Sequence, residues 1–290
     1  MNVGLEFPAL YISADEASAS AQRAFLWTIR VEYFLLFSVS ALSSTRDMSG
    51  LNPLALTLLL VFLAGLFVLK VYRKLDQDWY RSRALAESVK TSTWRFVMRA
   101  HPFQDAASVE QPRAEFRDLL RDILRANQHL SRNLYHSDAD QVTASMMDIR
   151  GLTLSERKDY YVRNRIDEQR HWYSRKSKEN RRAFRAWVVV TIAVYIVAAI
   201  SINAEQLGLG YAMLAFDPLI VVVTSIIGWI QIKRHSELTA SYNLTAHEIG
   251  IIRSNADYVK SEDDFSDFVN EAELAFSREH TQWVARRDAS

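Results

Sequence analysis

Apolar residues in this chain gather into four runs, separated by long stretches crowded with charge. The clearest run spans Pro53 to Tyr72, about twenty apolar residues, enough at about 1.5 Å per residue to cross the hydrocarbon of a bilayer. A third run covers Ala186 to Asn203 and a fourth Pro218 to Ile232, with LGLGYAMLAF upstream to lengthen or anchor it. The first run, Ala24 to Ser43, is interrupted by Arg30 and Glu32, leaving Tyr33 to Leu42 free of charge. A charge at the bilayer centre costs about 2.5 to 3.5 kcal/mol, so both residues belong near the cytoplasmic headgroups, where Arg30 can snorkel. The competing reading of this run is a buried soluble helix.

Between these runs the period is helical, and no strand alternation occurs. Phe116, Leu119, Leu120, Ile123 and Leu124 repeat at three-and-four spacing, which predicts an amphipathic helix packed on its neighbours. Phe265, Phe268, Val269, Ala272 and Phe276 predict a C-terminal helix that docks by one face, started by Ser261 and Asp264. Capping-box pairs, Ser13 with Glu16 and Thr153 with Glu156, predict the starts of helices leading into the first and third spans. Loops are expected near His101 to Ser108, Asn133 to Asp138 and Gly151, and a linker near Val259 to Asp263.

Basic residues flanking the spans set the expected orientation. Arg23 precedes the first span, Lys70, Arg73 and Lys74 follow the second, Arg181, Arg182 and Arg185 precede the third, and Lys233 and Arg234 follow the fourth. The loop Ser43 to Asn52 offers Arg46 balanced by Asp47, and the loop Asn203 to Asp217 offers Glu205 and no base. Both loops are therefore expected outside and both termini in the cytoplasm. The halves also repeat. Arg23-Ala24-Phe25 enters the first span as Arg182-Ala183-Phe184 enters the third, and Asn52-Pro53 opens the second as Asp217-Pro218 opens the fourth, each a cap residue before a first-turn proline. The expected fold is an all-α membrane protein: four transmembrane helices as two parallel hairpin repeats with long cytoplasmic helical extensions. Its parts are a first two-span module over 14–105, a cytoplasmic connector over 106–152 and a second two-span module over 153–290.

Composition excludes more than it suggests. The 290 residues carry 24% charged residues and a formal net charge of +1, which point neither to nucleic acid nor to an acidic tail. With no cysteine there is no disulfide, thiolate nucleophile or cysteine zinc site. Met1 to Ser20 has no early basic residue and carries Asp15 and Glu16, unlike a cleavable signal peptide, so this segment is expected to be retained. Ser155-Glu156-Arg157-Lys158 matches S-x-x-K, but it sits at a capping box without the partner motifs of that chemistry. His247-Glu248 and Glu279-His280 lack the second histidine of a metalloprotease helix, and 8 glycines assemble no phosphate-binding loop. No enzyme, cofactor or metal is expected.

Two constellations mix tryptophan, arginine and carboxylate. In the first, Trp79, Arg83, Glu87 and Lys90 follow at four, four and three on one helix face, ahead of Trp94 and Arg95. The second runs from Tyr161 to Tyr173 and includes Arg163, Gln169, Trp172 and Tyr173. Ion pairs and aromatic packing between helices account for both; so does a charged, aromatic-lined cleft that receives an anionic signal. The residues themselves carry a resemblance: W-Y-x-x-R-A-x-A-E-S-x-K-T-x-x-W-R from Trp79 to Arg95, R-x-x-x-Q-x-x-W-Y within Arg163 to Tyr173, and S-R-E-H-T-x-W from Ser277 to Trp283. Together these resemble the bacterial SLATT family, two-transmembrane effector domains associated with SMODS nucleotidyltransferases and SLOG nucleotide-binding proteins, here in a tandem four-span form. The resemblance implies a pore-forming or membrane-disrupting effector of nucleotide-signalled, anti-phage conflict systems, with a nucleotide second messenger or a SMODS or SLOG sensor protein as partner.

A pore needs small or polar residues along a span. Thr224, Gly228, Gln231 and His235 fall at four, three and four, and Thr191 and Tyr195 pair similarly in the third span. Close helix packing uses the same residue types. Four helices enclose little space, so a conduit requires a homo-oligomer in contact with membrane lipids. The alternatives are a non-conducting membrane scaffold and a lipid- or nucleotide-sensing protein using the basic run Arg163 to Arg185.

Overall fold

The computed structural model describes residues 4–44, 52–104, 109–135, 139–203 and 216–288, the last eleven of these and Asn52 by backbone alone. The expected loop residues Arg46, Asp47 and Glu205 lie outside the described residues, as do the side chains from 278 onward in the third motif. Ten α-helices are described: α1 (Ala9–Ser43), α2 (Asn52–Arg73), α3 (Leu75–Val97), α4 (Glu110–Ala126), α5 (Ala144–Arg150), α6 (Leu154–Tyr161), α7 (Glu168–Ile202), α8 (Phe216–Lys233), α9 (His235–Asn255) and α10 (Glu262–Asp288). A π-helical segment, Val162–Asp167, joins α6 to α7. Among the described residues there is no strand.

The chain divides into two units. The span unit takes Arg23–Leu75 and Ser177–Ala240, and the polar unit takes Met1–Gln22, Asp76–Lys176 and Ser241–Ser290.

In the span unit, four helices are long and apolar enough to cross a membrane. No residue of α2 from 53 to 73 is buried; Leu58, Val61 and Phe62 expose more than half their surface. A helix apolar on every side has lipid, not water, as its solvent. The protein is an all-α, multi-pass membrane protein. Arg30 and Glu32, which interrupt the first span, are each provided for. Lys70 Nζ at the end of α2 donates to Glu32 Oε2 at 2.8 Å, and the Arg30 guanidinium lies 5.2 Å from the ring centre of Trp229, which Lys233 also approaches at 5.8 Å. The interrupting charges thus sit level with the basic exits of α2 and α8. Further along, Ser177 Oγ donates to the Thr239 carbonyl at 3.0 Å, and the His235 ring bonds Asn180 Oδ1 at 2.8 Å, joining α7 to α9.

The polar unit has a continuous apolar core. The α3 face of Leu85, Ala86, Val89, Trp94, Phe96 and Val97 meets Phe116 and Leu120 of α4, and the buried face of α10 meets Tyr161 of α6. Phe96, Phe103 and Phe116 form a ring trio with centroids 4.6 to 5.9 Å apart. Each such buried phenylalanine is worth about 1.5 to 3 kcal/mol.

Two of the three expected capping pairs form. Thr153 Oγ1 accepts from the Glu156 N–H while Glu156 Oε2 accepts from the Thr153 N–H at 3.0 Å. Ser261 Oγ and Asp264 Oδ2 make the reciprocal pair before α10 at 3.1 and 3.0 Å. Ser13 is a correction: α1 begins earlier, at Ala9. Its free N–H groups are taken by the Asp140 carbonyl and Gln141 Oε1, both at 3.2 Å, so the connector supplies the cap that Ser13 was expected to give. Ser13 is buried within the helix and its hydroxyl donates to the Tyr135 carbonyl at 2.6 Å.

Candidate functional site

The two constellations touch within the polar unit at Trp94, against which Tyr161 and Arg165 of the second are packed. The helical spacing of α3 puts Arg83, Glu87 and Lys90 on one side, as expected. Arg83 Nη2 lies 2.7 Å from Glu87 Oε1 and its Nη1 3.6 Å from Asp15 Oδ1 of α1. Trp79 stacks on its neighbour Tyr80 at 4.5 Å. Trp94 is buried among Phe7, Tyr160 and Tyr161, at 6.4, 6.2 and 5.6 Å, under the Arg165 guanidinium at 5.8 Å. The Trp94 indole N–H and the Ser82 hydroxyl are buried without a hydrogen-bond partner, as is Arg95 Nε. Burial lowers the pKa of the Lys90 ammonium, and the nearby Arg165 lowers it further, against the pull of Glu87 and Glu273.

The second constellation divides. Arg163 is exposed, and its Nε donates to the Asp159 carbonyl of its own helical turn. Gln169 is half-buried. Trp172 and Tyr173 pack on Tyr242 of α9 at 5.5 and 5.6 Å. The arginine that fits the sequence pattern and does the structural work is Arg165, two positions on. It makes a bidentate pair with Glu273 of α10, Nε to Oε1 at 2.8 Å and Nη2 to Oε2 at 2.7 Å, with neither side chain more than 2% exposed. Tyr161 donates to the same carboxylate at 2.9 Å, and the guanidinium lies 4.6 Å from the Phe276 ring centre. Burial works against the charge on Arg165, but the adjoining carboxylate outweighs it and the pKa is raised. Burial, then Glu273, pushes the Tyr161 phenol well above its usual range. At the α1 end of the cluster, burial and then Asp15 push Tyr11 up to about 12.

Arg165 closes a series of buried arginines that sequence reasoning passed over. Arg150 reaches the carbonyls of Phe96 and Phe103, the latter at 2.8 Å, and Arg157 reaches those of Met98 and Leu152 at 2.8 and 3.1 Å while pairing with Glu262. Each satisfies carbonyls left open by a helix end or turn, the need that planar, multidentate guanidinium meets best. The three lie on separate elements, α5, α6 and the π-helical segment, so helical spacing carries no signal from one to the next. Among the described residues no group of His, Asp and Glu has the arrangement of a metal site.

The intramembrane candidates do not converge. Thr191 and Thr224 return their hydroxyls to their own helices, Thr191 to the Trp187 carbonyl at 2.8 Å and Thr224 to those of Ile220 and Val221 at 3.1 and 3.0 Å. Thr224, Gln231 and Tyr195 are exposed on the outside of the span unit. Gly228 lies against the Tyr33 hydroxyl of α1, and His235 is buried.

No curated protein matches the chain, and no solved structure does. Residues 8–158 match the SMODS and SLOG-associating 2TM effector domain 3, and residues 161–283 match the SMODS and SLOG-associating 2TM effector domain 1. With two such matches end to end, meeting within α6, the chain belongs to the SLATT family as a tandem of two effector domains.

Proposed function

We propose that this protein is an oligomeric, pore-forming membrane effector of a bacterial nucleotide-signalled defence system. It would reside in the inner membrane with both termini in the cytoplasm, its span unit forming the conduit and its polar unit receiving the signal. The observation that carries the reading is the outward exposure of Thr224 and Gln231 on α8, two turns apart on a mainly apolar helix. Polar side chains facing lipid are unfavourable, whereas in an assembly of several protomers they would line a shared interior. Family membership supports the effector role, and the association of such domains with SMODS and SLOG proteins supports a nucleotide messenger or sensor protein as the input. The signal would act on the Trp94, Lys90 and Arg165 cluster, where the indole N–H is buried without a hydrogen-bond partner and burial disfavours the Lys90 ammonium. No catalytic step is part of this reading.

Current across planar bilayers containing the full-length protein tests it. Conductance that appears with a candidate nucleotide or sensor protein, and changes on Thr224→Val and Gln231→Leu, is expected. Absence of current under all conditions, or a strictly monomeric protein in native-membrane crosslinking, would replace the pore with a non-conducting scaffold.

A further inference from the structure

The entry of α7 into the third span carries more positive charge than the entry of α1 into the first. Lys178, Arg181, Arg182 and Arg185 are all exposed and fall at three, one and three, so that 178 with 181, 178 with 182, 181 with 185 and 182 with 185 are helical neighbours. Every one of these four pairs is like-charged, and like charges at such spacing disfavour the helix; Glu179, exposed three positions before Arg182, is the single acid among them. The repeat within the chain measures the excess. Aligning Arg23-Ala24-Phe25 with Arg182-Ala183-Phe184, the corresponding positions ahead of the first span are Ala19, Gln22, Arg23 and Leu26. One of those four positions is basic ahead of the first span, where Arg30 adds a second base further in, and all four are basic ahead of the third.

The position of the stripe says what it meets. It ends one residue before the apolar run that opens at Ala186, with Trp187 half-buried in the next turn. At a rise of about 1.5 Å per residue the four cations cover about 10 Å of helix, comparable to the depth of a headgroup layer of about 5 to 7 Å plus the reach of the side chains. The surface is the convex side of one helix, suited to phosphates arriving side by side from a leaflet. We propose that Lys178, Arg181, Arg182 and Arg185 form a binding site for the phosphates of anionic phospholipids, which offsets the repulsion within the stripe and ties the second hairpin to anionic membrane. This requires only that the third span is transmembrane, and stands or falls independently of the pore.

The test is native mass spectrometry of the full-length protein released from nanodiscs that contain phosphatidylglycerol and phosphatidylcholine in equal amounts, at two salt concentrations. The wild type is expected to retain phosphatidylglycerol preferentially and to lose the preference at high salt. Arg182→Gln should lower the enrichment about fivefold, and Arg181→Gln/Arg182→Gln/Arg185→Gln more than tenfold, since each surface base near an anionic leaflet is worth about 1 kcal/mol, a factor of about five. Lys70→Gln, whose ammonium is already paired with Glu32, should leave it nearly unchanged. Equal retention of both lipids by the wild type would overturn the proposal. So would an enrichment that survives the triple substitution and vanishes with Lys70→Gln, or inorganic pyrophosphate binding equally well to protein in purely zwitterionic nanodiscs. If the triple variant fails to insert, Arg182→Gln and the wild-type salt series decide the matter.

Discussion

Lys74 and Arg234, 160 positions apart, adopt the same left-handed backbone conformation, with φ of 44° and 46°. Each is the single residue between an even-numbered span and the polar helix that follows it, α2 to α3 and α8 to α9. A lone residue at positive φ breaks a helix at a fixed angle, and a residue with a Cβ is strained there by about 1 kcal/mol. The same device at the repeat spacing supports descent of the two hairpins from one unit. Arg234→Gly should therefore keep or raise stability, by up to about 1 kcal/mol, whereas Arg234→Val should lower it by about 1 to 3 kcal/mol because a β-branched residue is poorest at that conformation. Thermal unfolding in detergent of both variants, beside the matching pair at Lys74, checks this. Equal losses for Gly and Val would mean that the basic side chain, not the backbone, is what the position requires.

The Arg165–Glu273 pair should dominate the stability of the polar unit. Removing one partner of a buried ion pair strands the other, at a cost of about 3 to 5 kcal/mol, while exchanging both for apolar residues of similar volume is often neutral. Glu273→Ala is expected to destabilise by that amount, Arg165→Met/Glu273→Leu to recover most of it, and Tyr161→Phe to cost about 1 kcal/mol for the lost hydrogen bond. Urea unfolding followed by tryptophan fluorescence, to which the neighbouring Trp94 reports, reads all three.

These two relationships show what the sequence could and could not disclose. Spans, amphipathic faces and caps are local, so Phe265, Phe268 and Ala272 reveal a docking face and Thr153 with Glu156 reveals a helix start without further information. The failure at Ser13 is equally instructive, because the donors of α1 are met by Asp140 and Gln141, more than 120 residues away. The same holds for the site. The ordered face of Arg83, Glu87 and Lys90 was readable from helical spacing, but the choice of Arg165 over Arg163 as the buried arginine depends on the π-helical turn and on a carboxylate 108 positions distant. Period alone cannot show which of two nearby arginines turns inward.

Lys90 gives a pH-dependent signature. Its folded-state pKa lies below the usual lysine value because burial, and then Arg165, disfavour the ammonium. Proton uptake is thus easier in the unfolded chain, and stability falls as pH drops from the unfolded value of about 10.4 through the folded one. Lys90→Met should remove that slope on the alkaline side and raise stability at neutral pH, by about 2 to 4 °C in Tm for a gain of about 1 kcal/mol. Differential scanning of both proteins between pH 7 and 10 makes the comparison. A Lys90→Met variant that is less stable at pH 7 would show instead that the ammonium is well paired in the fold. A variant that is more stable but no longer responds to the activating signal would place Lys90 in the receiving site.

Gly228 distinguishes packing from pore lining within the membrane. A Cβ built there collides with the Tyr33 hydroxyl, and the next ring atom stands 3.3 Å away, so the tip of the Tyr33 side chain from α1 fills the space that a larger residue on α8 would need. Gly228→Ala is expected to destabilise the span unit by about 1 to 3 kcal/mol through overpacking. Tyr33→Phe deletes the colliding oxygen alone and should restore much of the loss in Gly228→Ala while changing the wild type little. The coupling energy from this double-mutant cycle, measured by thermal unfolding in detergent, should be positive and close to the single-mutant cost. If Gly228 instead faced a conduit, Gly228→Ala would alter conductance with no loss of stability, and Tyr33→Phe would rescue nothing. Packing against Tyr33 then leaves Thr224 and Gln231, on the exposed side of the same helix, as the positions at which conductance should respond.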